Sequence, residues 1–210
     1  MAAIQLVIGD KAYSSWSLRP WLALKMIGVP FEEIRIKLRR PETRAEILRH
    51  SPSGKVPLLK HKGVELWESL AILEFLAETY PAAHLWPEDA AARARARAVS
   101  SEMHAGFAPL RQHMSMDVTR DLRGQGMGEG VASDIARIEE IWSGCRAAYG
   151  AGGPYLFGHF TAADAMYAPV ATRFVTYGTT LSRASAAYRD AIMALPAMKE
   201  WIAAAKREVA

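Results

Sequence analysis

The chain has one cysteine, Cys145, in 210 residues. That excludes an intramolecular disulfide framework and any metal site built from cysteines alone, and it suits a reducing compartment. Long hydrophobic runs are absent too. No segment approaches the roughly 20 apolar residues that span a bilayer. The opening "MAAIQLVIGDKAYSS" has one short apolar run, no basic segment ahead of it and no cleavage-like continuation. Neither sign of charge dominates: a formal net charge of +4 is too small to argue for nucleic acid without a concentrated basic surface. Arg93, Arg95 and Arg97 spread around a helix rather than lining one face. The six histidines show no ligand spacing. His104 and His113 fall on opposite sides of a predicted helix, so no metal is expected. "GQGMGEG" lacks the G-x-G-x-x-G frame and no strand precedes it, which makes it a flexible loop. Repeats and low-complexity tracts are also missing. The expectation is a soluble, cytoplasmic protein with no membrane or nucleic-acid partner.

A composition that is 50% hydrophobic and 23% charged can build a sizeable core. In the first 80 residues the apolar pattern switches between two periods. "IQLVI" reads as a buried strand and "SWSLRPWLALKMIG" as a helix. "FEEIRIKL" alternates from Ile34, and "PETRAEILRH" can make a short helix with Pro41 near its first turn. "VPLLK" and "GVELW" read as strands joined by a turn through Lys62 and Gly63, and "ESLAILEFLAETY" as an amphipathic helix. The order is βαβαββα. After Tyr80-Pro81 nearly everything has helical spacing: a long segment interrupted or bent near Pro109, then "VASDIARIEEIWSGCRAAY", then "TAADAMYAPVATRFVTYG" and shorter helices. The expected division is an α/β domain over 1–80, a linker over 81–88 and an all-α domain over 89–210.

Two segments carry chemistry. "AYSSWSLRP" places Tyr13, Ser14 and Ser15 at a helix start, where hydroxyls either cap the first turn or serve an anion held there. "SGKVPLLKHKGVELWES" puts Pro57 at the start of a central strand, where its missing N–H implies a turned, cis Val56–Pro57 bond. Such a turn leaves the Val56 N–H and C=O for an extended peptide. Glu68 and Ser69 then open a helix: the Ser69 hydroxyl and free N–H groups suit a carboxylate, and Glu68 suits an ammonium group. The plain alternative is a capped helix after a hairpin.

Taken together, "SS" at a helix start, "GKVPLL" and "ES" opening an apolar helix resemble the thioredoxin-like domain of soluble glutathione transferases. The helical half resembles the same family, including a Thr161/Asp164 capping box in "FTAADAMYAP". "SSWSLR" is closest to the serine-type, zeta-like members, with Trp16 where their pattern has cysteine. The resemblance implies a thioredoxin-like domain followed by a helical bundle, with glutathione as cosubstrate and no permanently bound cofactor. Aligned through Arg19, Ser14 matches the thiol-activating serine, with Ser15 as fallback and Tyr13 ranked lower. Lys55, Val56, Pro57, Glu68 and Ser69 match glutathione-binding positions. Met103 and Phe107, in a stripe with Leu110 and Met114, fall near the second-substrate pocket, although core packing is the default for such a stripe. Arg173 aligns with an arginine used for acidic second substrates, although a surface position is the default for an arginine. Cys145 reads as a small buried apolar residue.

The implied reaction is activation of a thiol whose free pKa is about 8.5 by a hydroxyl donor and a helix dipole, for attack on an electrophilic small molecule. One rival is glutathione-dependent cis–trans isomerisation of a maleylacetoacetate-like diacid. Another is a non-catalytic ligand-binding or assembly module. A homodimer is implied by the resemblance alone.

Overall fold

The computed structural model describes residues 4–209. The first half follows the expected order: β1 (Ile4–Ile8), α1 (Ser15–Ile27), β2 (Phe31–Arg35), α2 (Thr43–Leu48), β3 (Leu58–His61), β4 (Val64–Leu66) and α3 (Ser69–Thr79). A single 3₁₀ turn, Pro81–Ala83, leads into six helices: α4 (Ala90–Ala105), α5 (Ala108–His113), α6 (Val131–Tyr149), α7 (Ala162–Thr176), α8 (Arg183–Ala194) and α9 (Pro196–Val209). A mixed α/β unit therefore precedes a helical one, the architecture of a thioredoxin-like domain followed by a helical bundle.

The sheet order is β2-β1-β3-β4, with β1 parallel to β2 and antiparallel to β3. Strand alternation sorts the core. Leu6 and Ile8 join the large cluster with α1 and α3, whereas Val7 packs on the other face with Ile36, Ile47 and Leu58. Lys62 and Gly63 both have positive φ, 50° and 81°, as a two-residue hairpin turn requires. The large cluster continues from Leu18 and Trp21 of α1 into α7, α8 and α9, so the two halves share one core.

Helix α7 is buried almost all round. Its start is the expected capping box: Asp164 accepts from Thr161 N (2.8 Å) and Thr161 Oγ1 (2.9 Å). The long helix is interrupted near Pro109, as expected, with the break at Gly106–Phe107 and Phe107 at φ 62° starting α5. One detail differs from the sequence reading: His104 and His113 lie on separate helices and not on opposite sides of one.

Candidate functional site

Helix α1 begins at the end of the Gly9–Ser14 loop. Ser14 is the N-cap residue, yet its side chain makes no capping bond. Instead its Oγ donates to Ser17 Oγ at 2.7 Å, and Ser17 Oγ also accepts from Gly9 N at 3.1 Å. The sequence reading missed Ser17, although its position three residues after Ser14 puts both on one face of the first turn. Ser14 is 6% exposed and Ser15 is equally buried. Ser15 Oγ does not cap the helix either, so capping alone explains neither hydroxyl. No acidic side chain occupies the first turn, so the positive end of the helix is left for an external anion.

The second half of the site is the entrance to β3. The Val56–Pro57 peptide is cis, and neither backbone polar group of Val56 has a backbone partner outside the regular elements among the described residues. A cavity of about 190 Å³ opens here, lined by Trp16, Ser53, Lys55, Val56, Pro57, Trp67 and Glu68. Helix α3 starts beside it with Glu68 as an N-cap whose side chain makes no cap bond, and with no acid in the first turn. The Ser69 hydroxyl is fully buried without a partner among the described residues. A buried orphan hydroxyl is costly, and at a helix N-terminus a carboxylate would satisfy it. Larger cavities lie elsewhere, including one of about 610 Å³ beside His84 and Tyr149. They hold none of these groups, so chemistry and not size marks the site.

A cluster of cations lies beside this cavity. Arg19, Arg111 and Arg173 come from α1, α5 and α7. Arg19 is fully buried; its Nε donates to Met166 O (3.2 Å), while both terminal nitrogens lack a partner among the described residues. Arg111 donates to the carbonyls of Gly106 and Met103, leaving Nη1 unpartnered. Arg173 donates to Met114 O (2.8 Å) and Pro169 O (3.1 Å). None of the three forms an ion pair among the described residues. Burial, then Arg111, pushes the Arg173 pKa down to about 9. Burial, then Arg111 and Arg173, pushes Arg19 well below its ordinary value. Trp16 partly compensates: its ring lies 4.1 Å from the Arg19 guanidinium carbon and 4.7 Å from that of Arg111. His104 meets the same ring edge-on at 5.3 Å and faces Glu68 at 3.8 Å.

The residues singled out in the sequence divide accordingly. Lys55, Val56, Pro57 and Glu68 line one cavity, and Ser69 starts the helix beside it. Arg173 is 3% exposed, which overturns the surface default: α7 is the central helix, and its last turn points into the cation cluster. Met103 and Phe107 pack in the core, as a helical stripe does by default. Tyr13 turns toward Arg39, whose guanidinium sits 4.2 Å from its ring. Cys145 is buried, and burial raises its thiol to about 11, as suits an inert packing residue. Arg111 and His104 were not singled out for this cluster because "PLRQHM" and "EMHAG" have no motif spacing; both meet the Trp16 ring from separate helices.

Comparison with known proteins agrees with this geometry. Residues 13–79 match the sequence model "Glutathione S-transferase, N-terminal domain", and residues 88–204 match "Glutathione S-transferase, C-terminal domain". A probable maleylacetoacetate isomerase of Caenorhabditis elegans is 40% identical over 96 residues, 46% of this chain and 44% of that protein. A maleylacetoacetate isomerase of Rattus norvegicus is 38% identical over 105 residues, 49% of this chain and 47% of that protein. The chain thus spans about half the length of the curated relatives it matches. Among solved structures, a bacterial zeta-class maleyl pyruvate isomerase superposes with a TM-score of 0.74 at 25% identity, over 95% of this chain and 97% of that one. Among the described residues no helix is long and apolar enough to cross a membrane, and no three His, Cys, Asp or Glu side chains group as metal ligands. With both domain matches in chain order, spanning the serine-bearing helix start, the cis-proline and the capping box of α7, the chain belongs to the glutathione S-transferase family.

Proposed function

We propose that the chain is a glutathione-dependent cis–trans isomerase of a maleyl-type diacid. The observation that carries this reading is a cluster of three guanidinium groups, Arg19 and Arg173 buried and Arg111 half-buried, none in an ion pair among the described residues. Buried cations are costly unless paired, and a diacid supplies the missing charge through bidentate contacts. The names of the relatives point the same way.

Glutathione would lie along Val56 in an extended form, with its γ-glutamyl carboxylate at the start of α3 and its ammonium group toward Glu68. Its sulfur would sit at the start of α1. Ser14 would donate to the thiolate while Ser17 reverses its role and donates to Ser14; the 2.7 Å separation suits either direction. The thiolate adds to one alkene carbon, and the electron pair moves onto the conjugated carbonyl as an enolate. The former double bond rotates, the pair returns and the thiolate leaves. Nothing is consumed, so glutathione acts as a cosubstrate that is regenerated. The domain boundaries at 80 and 89 belong to this proposal, as does a homodimer. The homodimer draws support from edge strand β4, where Val64 and the nearby Trp67 are each 41% exposed; sedimentation of the purified chain tests it.

The deciding experiment compares isomerisation of a maleyl diacid with glutathione conjugation of a neutral electrophile. Arg173→Lys and Arg111→Ala are expected to lower diacid kcat/KM about 10- to 100-fold, the scale of one lost charge-assisted hydrogen bond, and neutral conjugation only a few-fold. Equal losses on both substrates would point to a plain conjugating enzyme. Retention on immobilised glutathione with no turnover of either substrate would favour a binding module. Ser14→Ala should lower both activities at pH 7 and Ser15→Ala neither; the reverse would transfer the role to Ser15.

A further inference from the structure

The loop that delivers Ser14 is held largely from outside. Tyr13 N and Ser14 N return to Asp10 O, and the Asp10 carboxylate accepts from Leu38 N at 2.7 Å. Ala12 O accepts from Val118 N at 3.2 Å. Lys11 has both main-chain groups engaged by α9: its N–H donates to Glu208 Oε2 at 2.8 Å, and its carbonyl accepts from Trp201 Nε1 at 2.9 Å. The two bonds bridge 197 and 190 positions of sequence.

Both α9 residues are themselves fixed. Trp201 is fully buried and packs edge-on against Trp21 at 5.0 Å. The other Glu208 oxygen meets Arg35 Nη1 at 3.1 Å and Lys11 Nζ at 3.9 Å. Lys11 Nζ also pairs with Glu33, which accepts from Trp21 Nε1 at 2.6 Å. Partly buried ion pairs of this kind give little net stability against apolar replacements. What they fix is a position, here three residues before Ser14. A displacement of about 1 Å at a reacting group can cost about 100-fold in rate.

We propose that Trp201 and Glu208 are positioning residues: α9 grips the Lys11 main chain and thereby sets the direction in which the Ser14 hydroxyl meets the thiol. This rests on the assignment of Ser14 above. The grip lies in the last helix of the chain, so thiol activation would depend on how α9 docks against the sheet domain.

The test uses Trp201→Phe, which keeps an aromatic ring and removes the donor, and Glu208→Ala. Tyr188→Phe serves as control, removing a buried hydrogen bond to Asp164 that does not touch the loop. Two readings are taken: amide exchange of residues 10–14, and the thiolate absorbance of enzyme-bound glutathione against pH. Both α9 variants should exchange faster in that segment. Their thiol titration should move up by about one unit, a nearly tenfold loss of thiolate below the midpoint, with KM for glutathione within about twofold and recovery above pH 9. Tyr188→Phe should move neither reading. Faster exchange with an unchanged titration would make the grip merely structural and overturn the proposal, and unchanged exchange would overturn it at once. Ser14→Ala in the same assay separates the two assignments. If it shifts the titration and the α9 variants do not, only the positioning role fails; if it does not, the Ser14 assignment fails and the positioning role with it.

Discussion

Trp16 stands where the serine-type pattern has a cysteine, and its surroundings explain why a large ring is useful there. The buried guanidinium of Arg19 and the half-buried one of Arg111 lie against it, neither in an ion pair among the described residues, and a desolvated cation–π contact contributes about 2 kcal/mol. Trp16→Ala is therefore expected to cost about 2–4 kcal/mol in urea-induced unfolding, and Trp16→Phe less than half as much. A dicarboxylate should restore part of the Ala variant's loss by supplying the missing charge; no ligand effect would show that the cluster does not bind it.

His104 reports on the same field. Burial lowers its pKa in the folded chain against an opposing pull from Glu68, and Arg19 and then Arg111 add to the lowering. The unfolded chain therefore takes up this proton first on acidification. Stability from this residue is intact above about pH 6.5, falls as pH drops through that value and levels off below the folded pKa. His104→Gln should flatten that part of the stability–pH curve. In proton NMR, a dicarboxylate in the cluster should move the His104 titration upward, because it offsets Arg19 and Arg111; an unmoved midpoint would place the anion elsewhere.

At the scale of elements, the start of α7 has the most exacting local design. Asp164 is fully buried and accepts from Leu156 N (3.1 Å), Thr161 N (2.8 Å), Thr161 Oγ1 (2.9 Å) and Tyr188 OH (2.9 Å). Asp164→Ala leaves these donors without an acceptor, and each orphaned buried group costs about 1–3 kcal/mol. A loss of at least about 3 kcal/mol is expected from urea midpoints, against about 1 for Thr161→Ala. A loss below 1 kcal/mol for Asp164→Ala would mean that water replaces the carboxylate.

This box was legible because it is local: Thr161 and Asp164 are three residues apart. The βαβαββα order was legible for the same reason, since alternation in "IQLVI" and helical spacing in "ESLAILEFLAETY" are properties of short windows. Ser69 and Pro57 could be found because each sits at the junction of two such windows. The cation cluster was not legible, because Arg19, Arg111 and Arg173 lie on three helices whose meeting point depends on tertiary packing. The default that places arginines on surfaces therefore misled for Arg173. The interruption near Pro109 was legible from the proline, but its exact place at Gly106–Phe107 was not.

At the scale of the whole molecule, the two halves are not independent. Leu18, Trp21 and Leu22 of α1 belong to the same core as Met166, Tyr167 and Val170 of α7. Arg19 Nε donates to Met166 O at 3.2 Å, and Val118 N donates to Ala12 O at 3.2 Å. An α/β unit of this size alone buries a smaller share of its surface than the whole chain does, and separating it would expose the face of α1 that packs on α7. Unfolding should therefore be one transition in urea, with coincident midpoints from tryptophan fluorescence and far-ultraviolet circular dichroism. Glutathione touches only the first half in the proposed pose, yet it should move both signals together, by about 2.7 kcal/mol at a hundred times its Kd. If the helical half kept its own midpoint while glutathione shifted the other signal, the shared core would not couple the halves, and the grip of α9 on the Lys11 main chain could not transmit to the thiol.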